Sequence, residues 1–137
     1  MTARYLIDKS ALARARLDPV WRRLGPILEA REAATCSIVD LEVLFSARGP
    51  EEHARIRRRR ELSYSKVPLT QTVFDRAVEV QGDLAKSRRH RVPIPDLIVA
   101  AAAESASLTL LHYDADFDLI AEATGQPTEW VVPRGSL

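Results

Sequence analysis

The chain has 137 residues, with twenty Lys and Arg against nineteen Asp and Glu, a length that fits one ordinary domain able to bury roughly two thirds of its unfolded surface. Plentiful Leu, Ile, Val and Ala with few aromatics exclude a disordered chain, and Cys36, the only cysteine, excludes an intrachain disulfide or a zinc site of paired thiolates. No signal-like apolar core opens the sequence and no run approaches the roughly 18 apolar residues of a membrane helix, so the expectation is a soluble cytoplasmic protein with no membrane partner.

The net charge of +1 averages over a sorted distribution. Arg55 and Arg57 to Arg60 form one basic run, Arg88 to Arg91 around His90 a second, and Asp114, Asp116 and Asp118 an acidic knot near the end.

In chain order, Tyr5-Leu6-Ile7 reads as a short buried strand that delivers Asp8 to the edge of a sheet. A helix follows from Ser10, and Pro19 fits the first turn of another whose Trp21, Leu24, Ile27 and Leu28 recur on one face. Thr35 and Cys36 end a second strand. Ile38, Leu41, Val43, Leu44 and Phe45 then predict a buried helix stopped near Gly49-Pro50, and Glu42 sits inside it, where an unpartnered carboxylate would be costly. Glu51 to Leu62 is a polar, Arg-rich helix, Val67-Pro68-Leu69 an extended segment, and Thr70 to roughly Arg88 a long amphipathic helix. Pro93-Ile94-Pro95 is a stiff turn that opens an Ala-rich helix with Asp96 in its first turn. Leu108 to Leu111 is a strand, Asp116 to Ala123 a helix and Trp130-Val131-Val132 a last strand. The alternation implies a parallel sheet with helices on both faces, without repeats or low-complexity linkers.

In open parallel sheets ligands bind beyond the carboxyl ends of the strands. Asp8 and Asp114 fall there, Asp96 follows a rigid turn and Glu42 a second strand, so four segments are able to bring acids to one place. Such acids repel one another unless protons or a cation neutralise them. Oxygen ligands without histidine or thiolate favour Mg²⁺ or Mn²⁺, which points to phosphodiester chemistry.

Leu6-Ile7-Asp8-Lys9-Ser10, Glu42 in a helix, Pro95-Asp96 opening an Ala-rich helix, and His112-Tyr113-Asp114-Ala115-Asp116-Phe117 together resemble the PIN domain, and more narrowly the VapC toxins of bacterial toxin–antitoxin pairs. The resemblance covers almost the whole chain in order. It implies a single PIN domain over residues 1–137, a three-layer α/β/α fold, and a Mg²⁺- or Mn²⁺-dependent endoribonuclease acting on RNA. By the resemblance Asp8 and Asp96 are the principal metal ligands, Glu42 and Asp114 complete the site, Asp116 is a nearby fifth acid and Ser10 hydrogen-bonds within it. A cognate VapB-like antitoxin and a homodimer are implied in the same way.

Asp40 and Glu42, two residues apart, do not share a helix face. The family register selects Glu42; a site built on Asp40 would need the helix rotated. Asp8 and Asp96 also suit helix capping, as does one of Asp114 and Asp116, but the acids exceed what capping needs and no cap explains Glu42. Arg57 to Arg60 read first as a solvated helix face. Arg88, Arg89 and Arg91, just before the Pro-Asp turn, are candidates to grip phosphates beside the cut. His112, inside a strand pattern, reads as structural, Cys36 as a small buried side chain, and Trp21 and Trp130 as core or dimer contacts. Among other functions, a receiver domain would need a lysine near Asp114, and a dehalogenase-type phosphatase an Asp where Ser10 stands. A PIN-like scaffold that binds RNA or protein without cutting is the alternative.

Overall fold

The computed structural model describes residues 2–137. Five short strands, β1 (Tyr5–Ile7), β2 (Ala33–Thr35), β3 (Ser65–Lys66), β4 (Thr109–His112) and β5 (Thr128–Trp130), form one sheet in the order β3-β2-β1-β4-β5, every neighbouring pair parallel. The connections carry α1 (Lys9–Leu12), α2 (Asp18–Glu29), α3 (Ser37–Leu44), α4 (Pro50–Ser63), α5 (Gln71–Ala85), α6 (Ile94–Ser105) and α7 (Asp116–Thr124).

Alternation along the strands sorts side chains to two faces. Leu6, Ala34 and Leu110 meet the buried sides of α5, α6 and α7 in one core, with Val73, Val80, Val99 and Phe117. Ile7, Ala33 and Leu111 meet Val20, Leu24 and Ile27 of α2 in the other. The result is a three-layer α/β/α arrangement with a parallel sheet covered on both faces, as the alternating elements predict. Ala100, Ala101, Ala102 and Ala103 are all buried, so α6 approaches the sheet and α5 closely. Thr70 Oγ1 accepts from the Val73 amide and caps α5, while Gly125, at φ 73°, takes the left-handed position that stops α7.

Several expectations shift. The amphipathic helix ends at Ala85, before the Ser87–Arg91 bend, and the final strand lies at Thr128–Trp130, leaving Val131 and Val132 beyond it. A short strand that the pattern did not single out, β3 at Ser65–Lys66, precedes the extended Val67-Pro68-Leu69 stretch; the Val67 amide still donates to the Thr35 carbonyl at 2.8 Å, and Pro68, with no amide to give, ends the ladder. Trp21 is 52% exposed and is not core. The helix expected to be buried, α3, buries only Val39 fully, leaving Leu41 65% and Phe45 91% exposed. Its apolar residues run around the whole circumference, whereas α1, α4 and α6 pack against only part of it. The Arg-rich run is not uniformly solvated either: Arg60 is buried, because α4 turns its last arginine in towards α3.

Candidate metal centre

Strand ends deliver the first two acids. β1 stops at Ile7 and Asp8, only 4% exposed, follows it; its Oδ2 accepts from the Ser10 amide at 2.9 Å, so it caps α1 while its carboxylate stays at the sheet edge. Ser10 Oγ in turn accepts from the Tyr113 amide at 2.9 Å and ties α1 to the turn after β4. In that turn Asp114 Oδ1 accepts from the Asp116 amide at 2.9 Å, which satisfies an amide at the start of α7 and holds both acids on one bend. Asp96 sits in the first turn of α6, where Pro95 presets the helical φ.

Carboxylate oxygens of Asp96, Asp114 and Asp116 lie within 4.8 Å of one another. Asp96 is the hub. Burial, followed by the negative charges of Asp8, Asp114, Asp116 and Glu42, pushes its carboxyl up to about 7. Its Oδ2 is buried without a hydrogen-bond partner, a costly arrangement for a carboxylate that nothing neutralises. Burial and the Asp8 charge likewise raise the Glu42 carboxyl, and burial with the Asp114 charge raises that of Asp116. Among the described residues no Lys or Arg forms an ion pair with any of these five acids. An oxygen-only donor set around an unpartnered buried oxygen fits a hard divalent cation.

Asp40 and Glu42 lie in different surroundings, and of the acids only Asp96, Asp114 and Asp116 have oxygens that all lie within 4.8 Å of one another. Asp40 turns away to Arg60, whose Nε donates to its Oδ1 at 2.9 Å, with Lys66 Nζ 3.1 Å from Oδ2 and Thr35 Oγ1 2.9 Å from Oδ1. Burial opposes ionisation of Asp40, but the hydrogen bonds from Arg60, Lys66 and Thr35 hold its carboxyl below the ordinary value. A cavity of about 390 Å³ lined by Asp40, Leu41, Leu44, Arg60 and Tyr64 lies between α3 and α4 and includes none of the five acids. Glu42 instead lines a shallow pocket with Lys9, Leu41 and Phe45.

The remaining candidates divide. Arg89 pairs with Glu122 at 3.0 Å, near the end of α7 remote from Asp116, about 9 Å along the helix. Arg88, at φ 60°, and Arg91 are exposed. His112 is fully buried between Phe117 and Trp130, burial lowers its pKa, and its Nδ1 accepts from the Asp114 amide at 3.1 Å. It supports the acid turn as a neutral ring. Sequence reasoning missed Arg60 and Thr35, since nothing in a run of four arginines marks the one that turns inward. It also missed Arg14, which donates to the Ser10 carbonyl and lies 4.6 Å over the Tyr113 ring.

The chain belongs to the PIN-domain family, whose model matches residues 5–123. Within that family, Ribonuclease VapC21 of Mycobacterium tuberculosis is 48% identical, covering 99% of both chains, and Ribonuclease VapC51 of the same organism is 41% identical, covering 100% of this chain and 99% of its own. A DNA-bound VapBC from Salmonella typhimurium superposes with a TM-score of 0.76 at 14% identity, over 95% of this chain and 99% of the other. VapBC-1 from nontypeable Haemophilus influenzae gives 0.75 at 17% identity, over 96% and 98%. These likenesses carry the fold; the named ribonucleases carry the family.

Proposed function

We propose that this chain is the toxin of a toxin–antitoxin pair, a single domain over residues 1–137, and an endoribonuclease that hydrolyses RNA phosphodiester bonds with Mg²⁺ or Mn²⁺. The observation that carries the reading is Asp96, buried with an unpartnered oxygen among the charges of four other acids. It gains support from relatives named as VapC ribonucleases at up to 48% identity and from the VapBC complexes of the same fold.

Asp8, Asp96, Glu42 and Asp114 would hold the cation, directly or through water, with Asp116 as fifth acid. When bound, it would supply water activation, polarisation of the phosphoryl group and stabilisation of the departing 3′-oxygen. The protein's own contribution is placement. Asp8 and Asp114 are fixed by the amides they accept, and Ser10 locks the two turns that carry them. In this reading Arg88 and Arg91, exposed and without ion pairs among the described residues, would grip backbone phosphates, and Arg89 would first have to leave Glu122. No described helix is long and apolar enough to cross a membrane, and we place the protein in the cytoplasm.

Incubation of total RNA with purified protein tests the reading. Discrete fragments are expected with Mg²⁺ or Mn²⁺ and none with chelator or with Asp8→Asn. Cleavage that survives both would rule out the acid site as its source.

The same reading includes a second copy of the chain and a VapB-like antitoxin. Leu41 and Phe45 offer apolar surface beside Glu42 that a segment crossing the site would cover. Phe45→Asp is expected to weaken binding of the cognate antitoxin by roughly tenfold or more while leaving RNA cleavage intact. Unchanged affinity in calorimetry would remove Phe45 from that interface.

A further inference from the structure

Among the described residues Glu42 makes no hydrogen bond and no ion pair; the Lys9 charge attracts it and the Asp8 charge repels it, both without direct contact. Its direction must come from the rotation of α3. That helix is two turns long, buries Val39 fully, rests Ile38 and Val43 against the core only in part and has no side-chain cap at Cys36. To that packing is added one strong polar anchor, at Asp40. Arg60 is buried and splits its guanidinium between two acceptors, Nε to Asp40 Oδ1 and Nη2 to Thr35 Oγ1, both at 2.9 Å. Thr35 Oγ1 closes the triangle by donating to Asp40 Oδ1, also at 2.9 Å. The guanidinium is seated 4.4 Å over the Tyr64 ring, and Lys66 takes the other oxygen of Asp40.

The triangle joins the carboxyl end of β2, the first turns of α3 and the last turn of α4. Asp40 and Glu42 are about 200° apart around a helix. Pinning Asp40 towards α4 therefore turns Glu42 to the opposite side, where the Asp8 charge acts on it. We propose that Arg60 is a positioning residue for the acid site: by clamping Asp40 to Thr35 it sets the rotation of α3 and so aims Glu42 at the carboxylate pocket. The proposal rests on the reading of Glu42 as a member of the metal site. A planar fork is suited to this, because it bonds two acceptors in fixed directions, which an ammonium does not.

The test is Mn²⁺ affinity, read from the electron paramagnetic resonance signal of the free ion, in wild type, Glu42→Gln, Arg60→Met and the double variant, each verified as folded by circular dichroism. Arg60→Met is expected to weaken Mn²⁺ binding by about tenfold. The double variant is expected to bind no more weakly than Glu42→Gln alone, because the arginine acts only through that glutamate. Arg60→Lys should recover part of the loss. If Arg60→Met weakens binding by the same factor in both backgrounds, or leaves it unchanged, the proposal is overturned. Should Arg60→Met fail to fold, Asp40→Asn with Arg60→Met removes both charges of the pair, and the same comparison with and without Glu42→Gln applies. Loss of Mn²⁺ binding in Asp96→Asn but none in Glu42→Gln would overturn the proposal while sparing the metal site; no Mn²⁺ binding by wild type would overturn both.

Discussion

Asp96→Asn is expected to abolish RNA cleavage, by roughly a thousandfold, and at the same time to make the metal-free protein more resistant to heat at pH 8. Both effects come from one carboxyl. Burial and then the charges of Asp8, Asp114, Asp116 and Glu42 raise it from an ordinary 3.8 to about 7 in the folded chain. In the unfolded chain that carboxyl loses its proton near pH 4, whereas the folded protein keeps it until about pH 7. The native state thus holds more protons across this window, and stability falls as pH rises from about 4 to about 7, then levels off. Asparagine never ionises, so the variant escapes the penalty. At about 1.4 kcal/mol per pKa unit, shared among neighbouring acids that adjust in turn, the gain above pH 7 is on the order of 1–3 kcal/mol, or several degrees in melting temperature. Thermal melts from pH 4 to pH 8 in chelator measure it. A wild-type midpoint that rises towards pH 8, or a variant no more stable than wild type there, would contradict the burial and repulsion assigned to Asp96.

The same melts separate a metal site from a merely strained acid. A ligand that binds only the folded state stabilises by mass action, so Mg²⁺ added at pH 8 should raise the wild-type midpoint and leave Asp96→Asn almost unmoved. Stability surrendered by the free acids and regained with a cation is the pattern expected where function sets the residues against the fold.

How much of this was legible beforehand depends on the kind of signal. Strands such as Tyr5–Ile7 and helices such as α5 announce themselves by apolar period and by turn residues, and their order implies the parallel three-layer fold. The acids were legible because each stands where a strand ends or a proline opens a helix, positions that topology alone brings to one edge. Glu42 was legible as an acid without a cap to explain it. What failed was side-chain direction on short elements. Pattern implied a buried α3, but an eight-residue helix that is apolar all round contains no period to say which side packs, and Leu41 and Phe45 face outward. Arg60 was hidden for the complementary reason. Its neighbours share its chemistry, and only the tertiary placement of Asp40 and Thr35 singles it out.

Phe117→Ala is expected to lower stability by about 3–5 kcal/mol, which in a chain of this length means a loss of more than about 10 °C in melting temperature. Phe117 is the largest side chain with no exposed surface, and it belongs to the core built on Leu6, Val99 and Leu110. Its ring stands 5.0 Å from that of His112, and its amide donates to the Asp114 carbonyl, so it packs directly beneath the bend carrying Asp114 and Asp116. Truncation would leave a void that the short strands cannot close without moving that bend. A second, separable effect follows: in the folded variant the distances among the acids relax and Mn²⁺ binds more weakly. Phe117→Leu, which keeps most of the volume, should cost less than about 1.5 kcal/mol and leave Mn²⁺ affinity near wild type. Thermal melts and Mn²⁺ titrations of the three proteins distinguish the cases. If Phe117→Ala melts within about 3 °C of wild type, the core does not depend on this ring. If it melts low but binds Mn²⁺ normally, the acid bend is held instead by the hydrogen bonds of Ser10 and Asp114.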